Sequence, residues 1–303
     1  VTIVLRDPAG EDASFAINAA LQQAAVLGGS EVVLSAGRYL VPATSSIRWP
    51  ANANGVSLIG EGPLASVIQA KGGRYSDLLD LTTGNLAHVR IAGVGISALG
   101  VIGSGAMIHA ANCYDLLIDR VRLDGPFNDG IVIDGGQNQY LTTITCVTMP
   151  GDPRSYRCLV IGESGYPQDT YINLCKFAAT QYGIWVQNAG GVYPSSTETL
   201  GHVQHGFITY PGGGQNVDWV QATQLLADSC GGTGIYLGSG GGAVRGVSLS
   251  NSWSSSNTNG VEIAPECDDV CFDATTRFLA NRNRSVIDYG GTNVRISAWM
   301  DRP

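Results

Sequence analysis

The chain has 303 residues, 44% hydrophobic and 14% charged, with a formal net charge of −8 and a pI near 4.9. Apolar runs throughout exclude disorder, there is no basic stripe to hold a nucleic acid, and no apolar run is long enough to span a bilayer. Forty-one glycines without a collagen period, beside twelve prolines, point to many short strands joined by tight turns.

The opening "VTIVLRDPAG" has neither an initiating Met nor a basic leader and reads as cut from a longer protein. Asp12 then stands where a helix N-cap belongs. Ile17, Ala20, Leu21, Ala24 and Ala25 recur on one helical face until Gly28–Gly29 stop it. "EVVLSAGRYLV" follows as strand, turn and strand. Residues 1–50 are therefore predicted to form a cap, continuous with a repeat over 51–303 in one cooperative domain. A helix over the open end of a strand stack would shield its edge. "GEGPLA" (60–65) matches a dinucleotide-binding pattern, but a further strand follows it, so it is predicted to be a turn.

From residue 105 onward the phrase glycine, apolar, any, apolar recurs. It appears as Gly130-Ile131-Val132-Ile133, Gly183-Ile184-Trp185-Val186, Gly234-Ile235-Tyr236-Leu237 and Gly260-Val261-Glu262-Ile263, with variants between, at steps of 23 to 28 residues. A second phrase precedes it, as in Ile118/Val121/Leu123 and Ile144/Val147/Met149. Its two-residue gap breaks strict alternation and predicts a sharp turn between two short strands. Three strands and three turns per ~25 residues fit a parallel β-helix, whereas a propeller blade needs about 40.

"DASFAINAALQQAAVLGGSEVVLSAGRYLV" followed by "VSLIGEGPLASVIQA" resembles the N-terminal region of pectate-lyase-like β-helix proteins, and among them bacteriophage tailspikes and related polysaccharide-degrading enzymes. The coil phrases extend the resemblance over nearly the whole chain. It implies an all-β fold: a right-handed, single-stranded parallel β-helix with an N-terminal capping α-helix. It also implies a homotrimer on a virion tail, or otherwise an extracellular protein, that binds and cleaves a bacterial capsule, exopolysaccharide or O-antigen, and the expected reduced cysteines fit assembly in the host cytoplasm. The sequence departs from the enzymes' motifs. The acidic calcium cluster of pectate lyases has no clear equivalent, and only "GHVQHG" (201–206) and Asp268–Asp269 stand near the polygalacturonase motifs. No catalytic position, metal or cofactor is carried over.

Glycoside hydrolysis needs two carboxyl groups, about 5–5.5 Å apart for retention or 6.5–9.5 Å for inversion. Equivalent positions on adjacent coils lie ~4.8 Å apart, so a β-helix supplies such spacings directly. The longest polar segments follow the glycine strands, from Asp134 to Ala243, and are predicted to build one wall of a groove. Asp134, Glu163, Asp169 and Glu198 are the candidate catalytic carboxylates. Tyr166, Tyr193, His202, Tyr210 and Trp219 are candidate sugar contacts. Asp134 with Glu163 would suit retention, and a wider pairing with Glu198 or Asp169 inversion.

The other turn carries Asp124, Asp129, Asp152, Arg154, Tyr156 and Arg157, a rival groove in which arginine would bind an acidic sugar. Every one of these acids is also an ordinary turn residue. A lyase acting by β-elimination and a non-catalytic receptor-binding fibre are the alternative functions. The seven cysteines are expected to be reduced, mostly buried as small hydrophobes, and Cys267 with Cys271 lacks partners to complete a metal site.

Overall fold

The computed structural model describes residues 1–303 apart from 9, 72, 74–75, 99–103, 149–155, 239 and 301–303. The chain winds into a parallel β-solenoid of about ten turns, with three faces per turn. Face A is built from Leu79–Leu81, the first halves of Ala106–Asp119 and Asp129–Thr142, then Arg157–Ile161, Tyr182–Val186, His205–Thr209, Thr233–Leu237, Asn259–Ile263 and Arg284–Asp288. Face B holds the second halves of the two long strands, then Gln168–Asn173 and its successors. Face C holds Arg122–Asp124, Thr145–Val147, Lys176–Ala178 and theirs.

Register explains the repeat. Ile108, Ile131, Leu159, Ile184, Phe207, Ile235 and Val261 are successive cross-coil partners, each at most 1% exposed. Each buried side chain of this kind contributes roughly 1.5–3 kcal/mol, and only a neighbouring coil can bury it.

The two-residue gap is a corner in one phrase and not in the other. In Ile118/Val121/Leu123 the left-handed Arg120 (φ 50°) fills it, and Thr143 (56°), Leu174 (54°), Ser196 (47°) and Gln224 (56°) take the same place in the following coils, whereas the gap in Ile144/Val147/Met149 falls inside the strand Thr145–Val147 and is no corner. Their amides donate onward: Arg120 to the Thr142 carbonyl at 3.0 Å, Thr143 to Asn173 at 2.9 Å, Leu174 to Ser195 at 3.1 Å. Asp115, Asn138, Asp169, Trp219 and Asp269 form a second such series between faces A and B.

The helix Ala13–Val26 is capped as expected, with Asp12 Oδ1 accepting from the Ser14 amide at 2.9 Å. Ile17 and Leu21 are fully buried. Asn18 ties the helix to the first coil by donating to the Ser46 carbonyl and accepting from the Arg48 amide. "GEGPLA" is the turn between Ser57–Gly60 and Ser66–Ala70. All seven cysteines are free, six of them buried.

The polar segments expected as loops are strand over much of their length. Ala189–Leu200 and Asn216–Asp228 pair along both faces B and C. In "VYPSSTETL" the buried positions are Val192, Pro194, Thr197 and Thr199, and Thr197 satisfies its hydroxyl on the Ile172 carbonyl at 3.1 Å. Buried threonines made a strand look like an insertion.

Candidate functional site

Two outer rows of face A carry the chemistry. Asp129, Arg157, Tyr182 and His205 are cross-coil partners in one row. His109, Val132, Val160, Trp185, Ile208, Tyr236 and Glu262 are partners in the next. The strands are short, so side chains at their two ends meet across the face.

Arg157 is the centre. Its Nε donates to Asp129 Oδ1 at 2.5 Å, and its Nη2 donates to Asp129 Oδ2 at 2.9 Å and to Glu163 Oε1 at 2.7 Å. Asn128 Nδ2 also donates to Asp129 Oδ2, at 2.6 Å. Arg157 and Asp129 are buried, while Glu163 is exposed. Burial lifts Asp129 above the ordinary carboxylate range against the pull of Arg157. Burial likewise disfavours the arginine charge, but the bonds to Asp129 and Glu163 outweigh it and raise Arg157.

His109 forms a second centre one coil earlier. Its Nδ1 lies 2.8 Å from Asp77 Oδ2 and its Nε2 lies 3.3 Å from Asp134 Oδ2. Burial opposes a charge here, yet hydrogen bonds to Asp134 and Asp77 raise the ring to about 10, so it is an imidazolium donating from both nitrogens. Asp134 also accepts from the Ser164 amide at 3.0 Å and the Ser164 hydroxyl at 2.9 Å. Burial would raise Asp134, but these donors hold it below its usual value.

Asp77, His109, Asp129 and Glu163 line one open cavity of about 230 Å³ over Val132. A larger hollow of about 420 Å³ on face C, beside Arg38, Gln69 and Asp124, gathers no comparable set of ionisable groups. The carboxylates of Asp129 and Glu163 touch the same Arg157 nitrogen. Their nearest oxygens therefore lie no farther apart than those two bonds laid end to end, short of the roughly 6.5–9.5 Å of an inverting pair.

Aromatic rings continue the surface toward the C-terminal coils. The Arg157 guanidinium lies 5.2 Å from the Tyr156 ring centre and 5.8 Å from that of Trp185. Trp185 meets Tyr182 at 4.7 Å and Tyr210 at 5.6 Å, both edge-on. Tyr182 reaches His205 at 5.9 Å, and His205 stacks on Tyr236 at 5.0 Å.

The structure thus brings Asp134, Glu163 and Arg157 together and sets Tyr210 on the same face. The two rival grooves are one, because Arg157 at the start of its strand reaches Glu163 beyond the end of it. Asp152 and Arg154 lie outside the described residues. Asp169 stands at the A–B corner, where it accepts from the hydroxyl of Tyr193 on face B at 3.2 Å. Trp219 is exposed at the same corner, and Tyr166 donates to Asp218 at 3.2 Å. Glu198 sits not in a loop but in a strand on face C, 2.9 Å from Lys176.

His202 requires a correction. It is 1% exposed, bonded to Thr180 Oγ1 at 2.9 Å and to the Phe177 carbonyl at 3.1 Å, and burial lowers it to about 4. It is a neutral core residue with no surface to offer a sugar. His109 and Asp77 escaped the sequence reading. The available signal was His109 interrupting the apolar run Ala106–Ala111 at the position whose cross-coil partner, Val132, lies outside the main core.

No family model and no curated protein matches this chain. Solved structures do match its fold. The tailspike protein of E. coli bacteriophage HK620, a double mutant, aligns with a TM-score of 0.57 and 13% identity over 98% of this chain and 64% of the tailspike. The A-module of the Azotobacter vinelandii mannuronan C-5 epimerase AlgE4 gives 0.56 and 12% over 97% of this chain and 94% of the module. The alginate lyase AlyGC gives 0.51 and 10% over 90% of this chain and 40% of the lyase. At these identities the likeness is one of fold: the structural neighbours include phage tailspike and alginate-lyase β-helix proteins.

Proposed function

We propose that this chain cleaves a bacterial surface polysaccharide, as an endo-acting glycoside hydrolase with Glu163 and Asp129 as its carboxylate pair. One observation carries the reading: both acids bind the same Arg157 nitrogen at the rim of one cavity, closer together than an inverting pair. Glu163 is the exposed member and meets the glycosidic bond. Asp129 is fixed beneath it by Arg157 and Asn128. Asp134, with its bonds directed to His109 and Ser164, acts through the residues it holds.

The charges favour hydrolysis over β-elimination. Among the described residues Arg157 and His109 are the cations of the cluster, and each already binds two carboxylates, which leaves neither to neutralise a uronate. The likeness to a tailspike supports a bacterial capsule, exopolysaccharide or O-antigen as substrate and a homotrimer on a virion tail as the setting.

Incubation with purified polysaccharides of these three kinds should release new reducing ends without the ultraviolet absorbance of an unsaturated uronate. Absorbance would make the protein a lyase, and binding without shortening would remove catalysis. Glu163→Gln should lower cleavage on the order of 10²–10⁴-fold with binding retained. Full activity in that variant would exclude the assignment.

A further inference from the structure

We infer that the aromatic strip beyond the acid cluster, from Trp185 to Glu262 on face A, is a binding site for an uncharged glycan lying lengthwise along the solenoid. The inference shares with the proposed function the premise of a polysaccharide ligand, but not that of cleavage.

Ring geometry sets face A apart from face B. Face B also carries tyrosines, but Tyr140, Tyr171 and Tyr193 stack with centroids 5.1 and 4.9 Å apart at 8° and 22°. There each ring face between neighbours is covered by the next ring. On face A, Tyr182 and Trp185 meet at 89°, Tyr156 and Tyr182 at 83°, and Trp185 and Tyr210 at 60°, and only His205 and Tyr236 stack, at 22°. Edge-on contacts leave ring faces uncovered, and those faces carry the negative side of the quadrupole that the C–H groups of a pyranose seek. The indole N–H of Trp185 is buried without an acceptor among the described residues, an unmet donor where strip and cluster join.

From the coil of Trp185 to that of Glu262 is three inter-coil steps, roughly 14 Å at ~4.8 Å per step, which gives length for more than one sugar unit. The near end is bounded by Asp129 and Glu163. The far end is bounded by Glu262, which accepts from Asn259 at 2.8 Å, from the Thr233 hydroxyl and from the Tyr289 hydroxyl at 3.4 Å. Arg157 already binds two carboxylates, and the next cation on the row, Arg284, stands beside Asn259 in register, one coil past the end. A polyuronate would lay its carboxylates between two anionic ends with, among the described residues of face A from Trp185 to Glu262, no lysine or arginine beneath them. A neutral chain meets donors, acceptors and ring faces.

The test is retention of labelled polysaccharides by the immobilised full chain carrying Glu163→Gln. The probes are a panel of neutral bacterial O-antigen chains and oligomannuronate. At least one neutral chain should be retained, and oligomannuronate should not. Tyr210→Ala and Trp185→Ala should each weaken retention about tenfold or more, Tyr236→Phe should preserve it, and Tyr171→Ala on face B should leave it unchanged. Tyr210 is 40% exposed, so its variant tests the strip even where Trp185→Ala fails to fold. Retention of oligomannuronate alone, of nothing, or equal loss with Tyr171→Ala overturns the inference. If wild type retains neutral chains but releases no reducing ends, the strip stands and the proposed cleavage falls. If it cleaves while Tyr210→Ala keeps the wild-type KM, the strip falls and cleavage stands.

Discussion

Asp129 and Glu163 share one nitrogen atom. Arg157 Nη2 donates to both, at 2.9 and 2.7 Å, and so joins a buried carboxylate to an exposed one. The two halves of this bridge differ in what they hold up. Arg157→Ala strands Asp129 as a buried, unpaired charge and should destabilise the fold by about 3–5 kcal/mol. Glu163→Gln removes only the exposed half and should change stability by less than about 1 kcal/mol. Urea unfolding of both variants checks the contrast, and equal losses would show that the bridge is not divided this way.

His109 makes stability depend on alkaline pH. Its folded value of about 10 lies above the ordinary histidine value of 6.5, so its contribution is complete below about 6.5 and is lost as pH rises through about 10. Urea midpoints measured from pH 6 to pH 10 should fall more steeply in wild type than in His109→Gln. Parallel curves would mean that the ring is neutral between Asp77 and Asp134.

His202 works in the opposite direction. Its folded value of about 4 lies below 6.5, so its stabilisation is complete above about 6.5 and is lost as pH falls toward 4. The loss should amount to about 3 kcal/mol at the acid end. His202→Gln should flatten this limb of the stability curve. An unchanged acid limb would assign it to other groups.

The left-handed corners can be improved one at a time. Thr143 is β-branched and exposed at φ 56°, a conformation that disfavours branched side chains and suits asparagine. Thr143→Asn should raise stability by roughly 0.5–1 kcal/mol, read as a higher urea midpoint at unchanged slope. A lower midpoint would mean that the threonine side chain contributes more than its backbone strain removes.

The fold was legible because each coil repeats one instruction. Glycine-led strands and the two-residue gap mark face A and the B–C corner in the residues themselves, and the helix announces itself through Asp12 and its apolar face. The site was legible only in part. Asp129 and Arg157 were visible as one pair and Asp134 with Glu163 as another, but their merging depends on how narrow face A is, and no residue type encodes that width. Asp77 and His109 stay hidden because their meaning lies in partners on the next coil. His202 misled for the converse reason: beside "GHVQHG" it looks chemical, and only the fold shows the corner closing over it.

The corners between faces B and C bear on how the chain withstands its surroundings. Each turns on a single left-handed residue, and at Arg120, Thr143 and Leu174 its amide is bonded to the following coil. A protease must draw an extended stretch of chain into its cleft, and these corners have no slack to give without unpairing strands on both sides. Exposed residues such as Leu174 are therefore bait that cannot be taken, and this edge of the solenoid should outlast its longer connections in an enzyme-rich environment.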